Sequence, residues 1–151
     1  MNRLPLLARL LVLTAIFIAA LPNPSSAGDG DDSLRADQKK AEPIIRDWLS
    51  LVDKAKYAES FAAASEIFRR NSTVEQWTAE HRKMLEANGP VVARGNIDNF
   101  MVLPLDKTAP RSYYEVTFKT KFEKRSAVEE VQIFKDNDEW KVTSYKIAPA
   151  K

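Results

Sequence analysis

Ser112-Tyr113-Tyr114-Glu115-Val116-Thr117-Phe118-Lys119-Thr120-Lys121-Phe122 decides the fold of this chain. Tyr114, Val116, Phe118, Thr120 and Phe122 fall on one side, and Tyr113, Glu115, Thr117, Lys119 and Lys121 on the other. A period of two means strand, because successive side chains of an extended backbone point to opposite faces. One face suits a core and the other suits water, as in antiparallel sheets. After a polar turn at residues 123–126, residues 127–135 return with Val131 and Ile133 inward. Asp136-Asn137-Asp138 is a tight turn of residues that tolerate left-handed backbone. Residues 139–147 then close the ribbon with Trp140 and Val142 inward, followed by Tyr145 and Ile147. That change from even to odd positions predicts a bulge near Thr143 or Ser144. Residues 91–94 and 100–105 read as weaker strands, the second interrupted by Pro104 and therefore at an edge.

Upstream of Pro90 the period is helical. Ala41, Ile44, Ile45, Trp48, Leu49 and Val52 recur at three and four, the stripe of a helix with one buried side. Pro43 lies within it, which predicts a kinked helix from Asp37 to about Lys54. Residues 57–70 predict a second helix with Phe61, Ala62, Ser65 and Phe68 inward. Asn71-Ser72-Thr73 breaks it, and Ser72 with Glu75, or Thr73 with Gln76, forms a capping box for a third. Val74, Trp77, His81, Met84 and Leu85 make its inner stripe, and Asn88-Gly89-Pro90 stops it. Helices first and strands second mean α+β: about three helices on one face of a curved antiparallel sheet of about four to five strands.

The first 27 residues read differently. Arg3 and Arg9, an apolar run from Leu10 to Leu21, and Ser25-Ser26-Ala27 have the order of a signal peptide cleaved before Gly28. The expected organisation is a leader at 1–27, a disordered spacer at 28–36 and one domain at 37–151, exported to the periplasm or secreted. The chain carries 23 basic and 21 acidic residues. Removal of Arg3 and Arg9 balances the charges, so no field favours nucleic acid or anionic lipid. The apolar run is shorter than the roughly twenty residues that span a bilayer, so no stable membrane anchor is expected after cleavage. With no cysteine the fold must be held by packing, and thiol chemistry and cysteine metal sites are excluded.

The run Trp48-Leu49-Ser50-Leu51-Val52-Asp53, then Tyr57-Ala58-Glu59-Ser60, then Trp77, together with Asp138-Glu139-Trp140-Lys141-Val142-Thr143-Ser144-Tyr145-Lys146-Ile147, resembles a family of small secreted bacterial proteins known as domain of unknown function number 4019. The resemblance covers residues 41–147, and its motifs are aromatic and structural. The family pattern has glycines in the turn before the tyrosine and before the last tryptophan, where this chain has Lys54-Ala55-Lys56 and Glu139. By analogy the arrangement is similar to the cone-shaped fold of the nuclear transport factor 2 and cystatin-like groups. That analogy carries no activity with it.

Candidate chemistry is sparse. His81 is the single histidine, on the inner stripe of its helix, and a cavity could use it as a general base. One histidine without cysteine cannot hold zinc, and neither acidic cluster has calcium-loop spacing. Glu129 and Glu130 are adjacent on a strand and face opposite sides, and no acid reads as desolvated. Lys119, Lys121, Lys124 and Arg125 form a basic stripe interleaved with Glu115, Glu123, Glu129 and Glu130, the pattern of a charge-laced solvent face. Trp48, Trp77 and Trp140 are expected in the core, with a helix–sheet pocket whose mouth holds Trp77, His81, Tyr114 and Trp140. The expected function is a non-catalytic exported binding or accessory module without cofactor or metal. Its partner would be a protein or a small apolar ligand. The alternative is a small cavity-type isomerase or dehydratase with His81 as base. A symmetric homodimer through the open sheet face, at Tyr113 and Thr117, is a further expectation.

Overall fold

The computed structural model describes residues 28–103, 112–136 and 139–150. The leader, Pro104 and the Asn137-Asp138 turn lie outside them. Four helices precede four strands: α1 Gly28–Asp53, α2 Tyr57–Ala63, α3 Glu66–Asn71, α4 Val74–Asn88, then β1 Val91–Val102, β2 Ser112–Phe122, β3 Ser126–Asp136 and β4 Glu139–Pro149. The strands form one antiparallel meander in the order β1-β2-β3-β4. This is the α+β architecture that the change of period predicts, with one helix more.

The extra helix comes from Ser65. It sits in extended backbone, caps α3 by accepting from the Phe68 amide, and donates its own amide to the Val142 carbonyl on β4 at 2.8 Å. The expected single helix over residues 57–70 is therefore two short ones, because a serine able to cap and a strand carbonyl able to accept outweigh one more helical turn. The segment at 28–36, expected as a disordered spacer, is the first third of α1 instead. Asp31 pairs with Arg35 one turn on at 2.7 Å, and Leu34 packs against the core. Asp37 accepts from the Tyr114 hydroxyl at 2.6 Å and from Lys135 Nζ at 2.9 Å, which ties that part of the helix to the sheet. Pro43 lies inside α1.

The capping box forms between Thr73 and Gln76. Gly89 ends α4 with φ 78°, and the β2–β3 turn closes over that end: Lys124 donates to the Glu86 carbonyl and Arg125 to Asn88 Oδ1, each at 2.5 Å. Part of the basic stripe thus neutralises a helix C-terminus. The two weak strands expected at residues 91–94 and 100–105 are one bulged edge strand, β1, with register shifts at Val91/Ala93, Arg94/Ile97 and Ile97/Asn99. The bulge expected near Thr143 is present: Gln132 pairs with Ser144 and Ile133 with Val142. All five inward residues of β2 are buried and its outward residues are not. One core runs from Ala41 through the tryptophans to Val142. No described helix is long and apolar enough to cross a membrane.

Candidate functional site

Burial of Glu129 organises the interior. It shares the inward parity of Ala127, Val131 and Ile133 on β3 and is 0% exposed. The expectation of no desolvated acid is corrected here. A buried carboxylate must be matched by charge and hydrogen bonds. Arg94, on β1, donates Nε at 2.5 Å and Nη2 at 2.9 Å. Thr120 Oγ1 on β2 donates at 2.5 Å and the Tyr145 hydroxyl on β4 at 2.8 Å. Arg94 then turns Nη1 and Nη2 outward to both oxygens of Asp53 at the end of α1, each at 2.9 Å. The four strands meet at the Glu129 carboxylate, and the Arg94 guanidinium links it to the first helix. Burial disfavours the charged Arg94, yet its bonds to Asp53 and Glu129 hold its pKa above the ordinary arginine value. Burial and the neighbouring Glu129 push the Tyr145 phenol well above 10.0, so it remains a donor.

An aromatic wall stands beside this network. Trp77, His81 and Tyr145 are mutual neighbours, with ring centroids 5.4 Å apart for Trp77–His81 and 6.0 Å for each ring to Tyr145. Trp48 stacks on Trp77 at 5.7 Å. Ser60, fully buried, satisfies both indoles: its carbonyl accepts from Trp48 Nε1 at 2.8 Å and its Oγ from Trp77 Nε1 at 3.0 Å. The Tyr57 ring lies 5.2 Å from His81. His81 is 7% exposed, and its Nδ1 is buried without a hydrogen-bond partner. Burial lowers its pKa below 6.5, against the opposing pull of Asp53 and Glu129. At neutral pH it is an uncharged imidazole.

Two spaces flank this wall. On the His81 side is a pocket of about 110 Å³ lined by Asp53, Tyr57, His81, Phe122 and Tyr145 among others. On the Trp77 side an open cleft of about 640 Å³ runs between α3, α4 and the sheet, lined by Phe68, Asn71, Trp77, Tyr113, Thr143 and Tyr145 among others. Thr143 Oγ1, on the bulge, is buried there without a partner.

Of the four residues expected at one mouth, only Trp77 and His81 come together. Tyr114 and Trp140 pack on each other at 5.2 Å, with Lys135 over the Trp140 ring at 5.5 Å, and Tyr114 bonds to Asp37. Neither lines the cleft or the His81 pocket. Strand register is the reason: it places Tyr114 and Trp140 together near the β3–β4 turn, while Tyr145, brought inward past the bulge, is the sheet residue against Trp77. Arg94, Asp53, Glu129, Tyr57 and Tyr145 were not singled out as site residues by sequence reasoning. The parity of Glu129 with Val131 was the available sign. On the outward side, Lys119 pairs with Asp98 at 2.8 Å and Lys146 with Glu130 at 2.7 Å, which is a charge-laced face. No group of three or more histidines or acids able to hold a metal occurs among the described residues.

Fold and site together define a small α+β domain with a closed internal ion network and an aromatic cleft. Residues 45–145 match the family described as "Protein of unknown function (DUF4019)", and the chain belongs to that family. No curated protein matches it. Among solved structures, that of Bdellovibrio bacteriovorus Bd1075 is similar over 83% of this chain at 11% identity and a TM-score of 0.47. This chain spans 44% of that protein's length.

Proposed function

We propose that the domain is an exported, non-catalytic binding module that takes a small, largely apolar ligand in the cleft between α3, α4 and β4. The cleft itself carries the reading. Its volume of about 640 Å³ lies in the range typical of small-molecule sites, roughly 300–1,000 Å³. Aromatic rings supply contact area, while Asn71 supplies a hydrogen-bonding group. Chemistry at His81 has less support. General base catalysis needs a group that stabilises developing charge beside the base. Arg94 is committed to Asp53 and Glu129, and Tyr145 to Glu129. Export rests on the basic, apolar and small-residue order of residues 1–27.

Thermal-shift screening of the native protein with small aromatic and aliphatic ligands tests the binding role. A true ligand at a hundredfold excess over its Kd adds about 2.7 kcal/mol of stability. Ser144→Trp, placed to fill the cleft from a half-buried strand position, should abolish the shift while the protein stays folded. An undiminished shift in that variant would place the ligand elsewhere. N-terminal sequencing of native material should begin at Gly28, and a start at Met1 would remove the export reading.

A further inference from the structure

The small pocket beside His81 lies across the aromatic wall from the cleft and has a different character. We propose that it is a binding site for a small organic ammonium group, of methylammonium to tetramethylammonium size. Four ring systems line it, those of Tyr57, His81, Phe122 and Tyr145, together with Asp53 at the end of α1. Aromatic faces with a nearby carboxylate are the chemistry that recognises alkylammonium groups.

The charges around the pocket point the same way. The charged groups nearby are Asp53 from α1, Arg94 from β1 and Glu129 from β3, with Glu123 and Lys124 of the β2–β3 turn as an offsetting pair beside Gly89. Tyr57 from α2 and Tyr145 from β4 turn their rings toward His81, with centroids 5.2 and 6.0 Å away. Two carboxylates against one guanidinium leave one negative charge in excess. His81 does not supply the missing cation, because burial keeps its ring neutral at pH 7. Its Nδ1 is buried with no partner, one of two such side-chain atoms among the described residues, the other being Thr143 Oγ1 across the wall. Size sets the limit: about 110 Å³ is on the order of four waters' share of liquid volume at about 30 Å³ each. Ala55 and Leu85 on the lining are exposed, which gives a small cation a route inward.

The test is an NMR titration of the full domain with tetramethylammonium chloride, methylammonium chloride and, as the uncharged control of similar shape, tert-butanol. The expected result is saturable shifts at Tyr57, His81 and Tyr145 with an ammonium salt and at least tenfold weaker response to tert-butanol. Tyr57→Leu should weaken binding roughly tenfold, a cation–π loss. Binding should also fall on acidification in step with protonation of the His81 ring, followed in the same spectra, because the imidazolium then takes the cation's place. The proposal is overturned if tert-butanol binds as well as either salt, or if no saturable shift occurs at these residues. Sodium chloride at equal ionic strength giving the same shifts would overturn it too.

Discussion

Replacing Arg94 by methionine should cost this domain a large part of its stability. Among the described residues Arg94 is the cation bonded to Glu129, which is 0% exposed. Methionine keeps much of the side-chain volume and removes the charge. Loss of one partner of a buried pair costs about 3–5 kcal/mol, chiefly because the remaining charge is stranded. The second pair, Arg94–Asp53, adds less than about 1 kcal/mol, because the Asp53 side chain is 31% exposed and water replaces the guanidinium. Small domains total about 5–15 kcal/mol, so roughly a fifth or more of the margin goes. The three tryptophans are buried and report unfolding by fluorescence. With m of about 2 kcal/mol/M in urea, the midpoint should fall by about 1.5–2.5 M at unchanged slope. Adding Glu129→Gln to Arg94→Met removes the stranded charge and keeps a carbonyl oxygen to accept from Thr120 or Tyr145. That double variant should recover at least about 2 kcal/mol over the single one. A single variant within 1 kcal/mol of wild type, or a double variant no better than the single, would refute the network as the interior's main polar bolt.

Three further outcomes follow from local geometry. Ala55 holds φ 57° in the α1–α2 turn. Left-handed backbone costs a non-glycine residue about 1–2 kcal/mol, so Ala55→Gly should stabilise by about 0.5–1 kcal/mol after the added freedom of the unfolded chain, read as a raised urea midpoint. Gly89→Ala should destabilise by about 1–3 kcal/mol, since φ is 78° and a Cβ would meet Glu123 Cβ at 2.8 Å; an unchanged thermal midpoint would contradict it. Burial lowers the His81 pKa from 6.5, so the unfolded chain binds more protons between the folded value and about 6.5. Stability should therefore rise with pH across that window and level off above it. His81→Leu should lose this increment relative to wild type, and parallel pH profiles for the two proteins would count against a buried neutral imidazole.

Local sequence was enough for the α+β class, the ends of β2, a capping box at Ser72 or Thr73, the Gly89 stop and a bulge near Thr143 or Ser144. These are local properties: a two-residue or 3.6-residue repeat and a turn residue act over one or two turns of chain. The tertiary structure decided where those faces meet. It split the helix at Ser65 because the Val142 carbonyl was within reach, a contact across 77 positions. It made residues 28–36 helical, since Leu34 and Asp37 find partners on the core and sheet. It also made Glu129 the interior's anchor. Its inward parity is legible on β3, but an inward acid is tolerable only with a matching cation, and Arg94 lies 35 residues earlier. The same holds for the candidate site. Trp77, His81, Tyr114 and Trp140 each face inward by local repeat, yet strand register sets Tyr114 and Trp140 together at one end of the sheet while Trp77 and His81 meet each other on α4. Local sequence sets which way a side chain points; only pairing across the sheet sets what it points at.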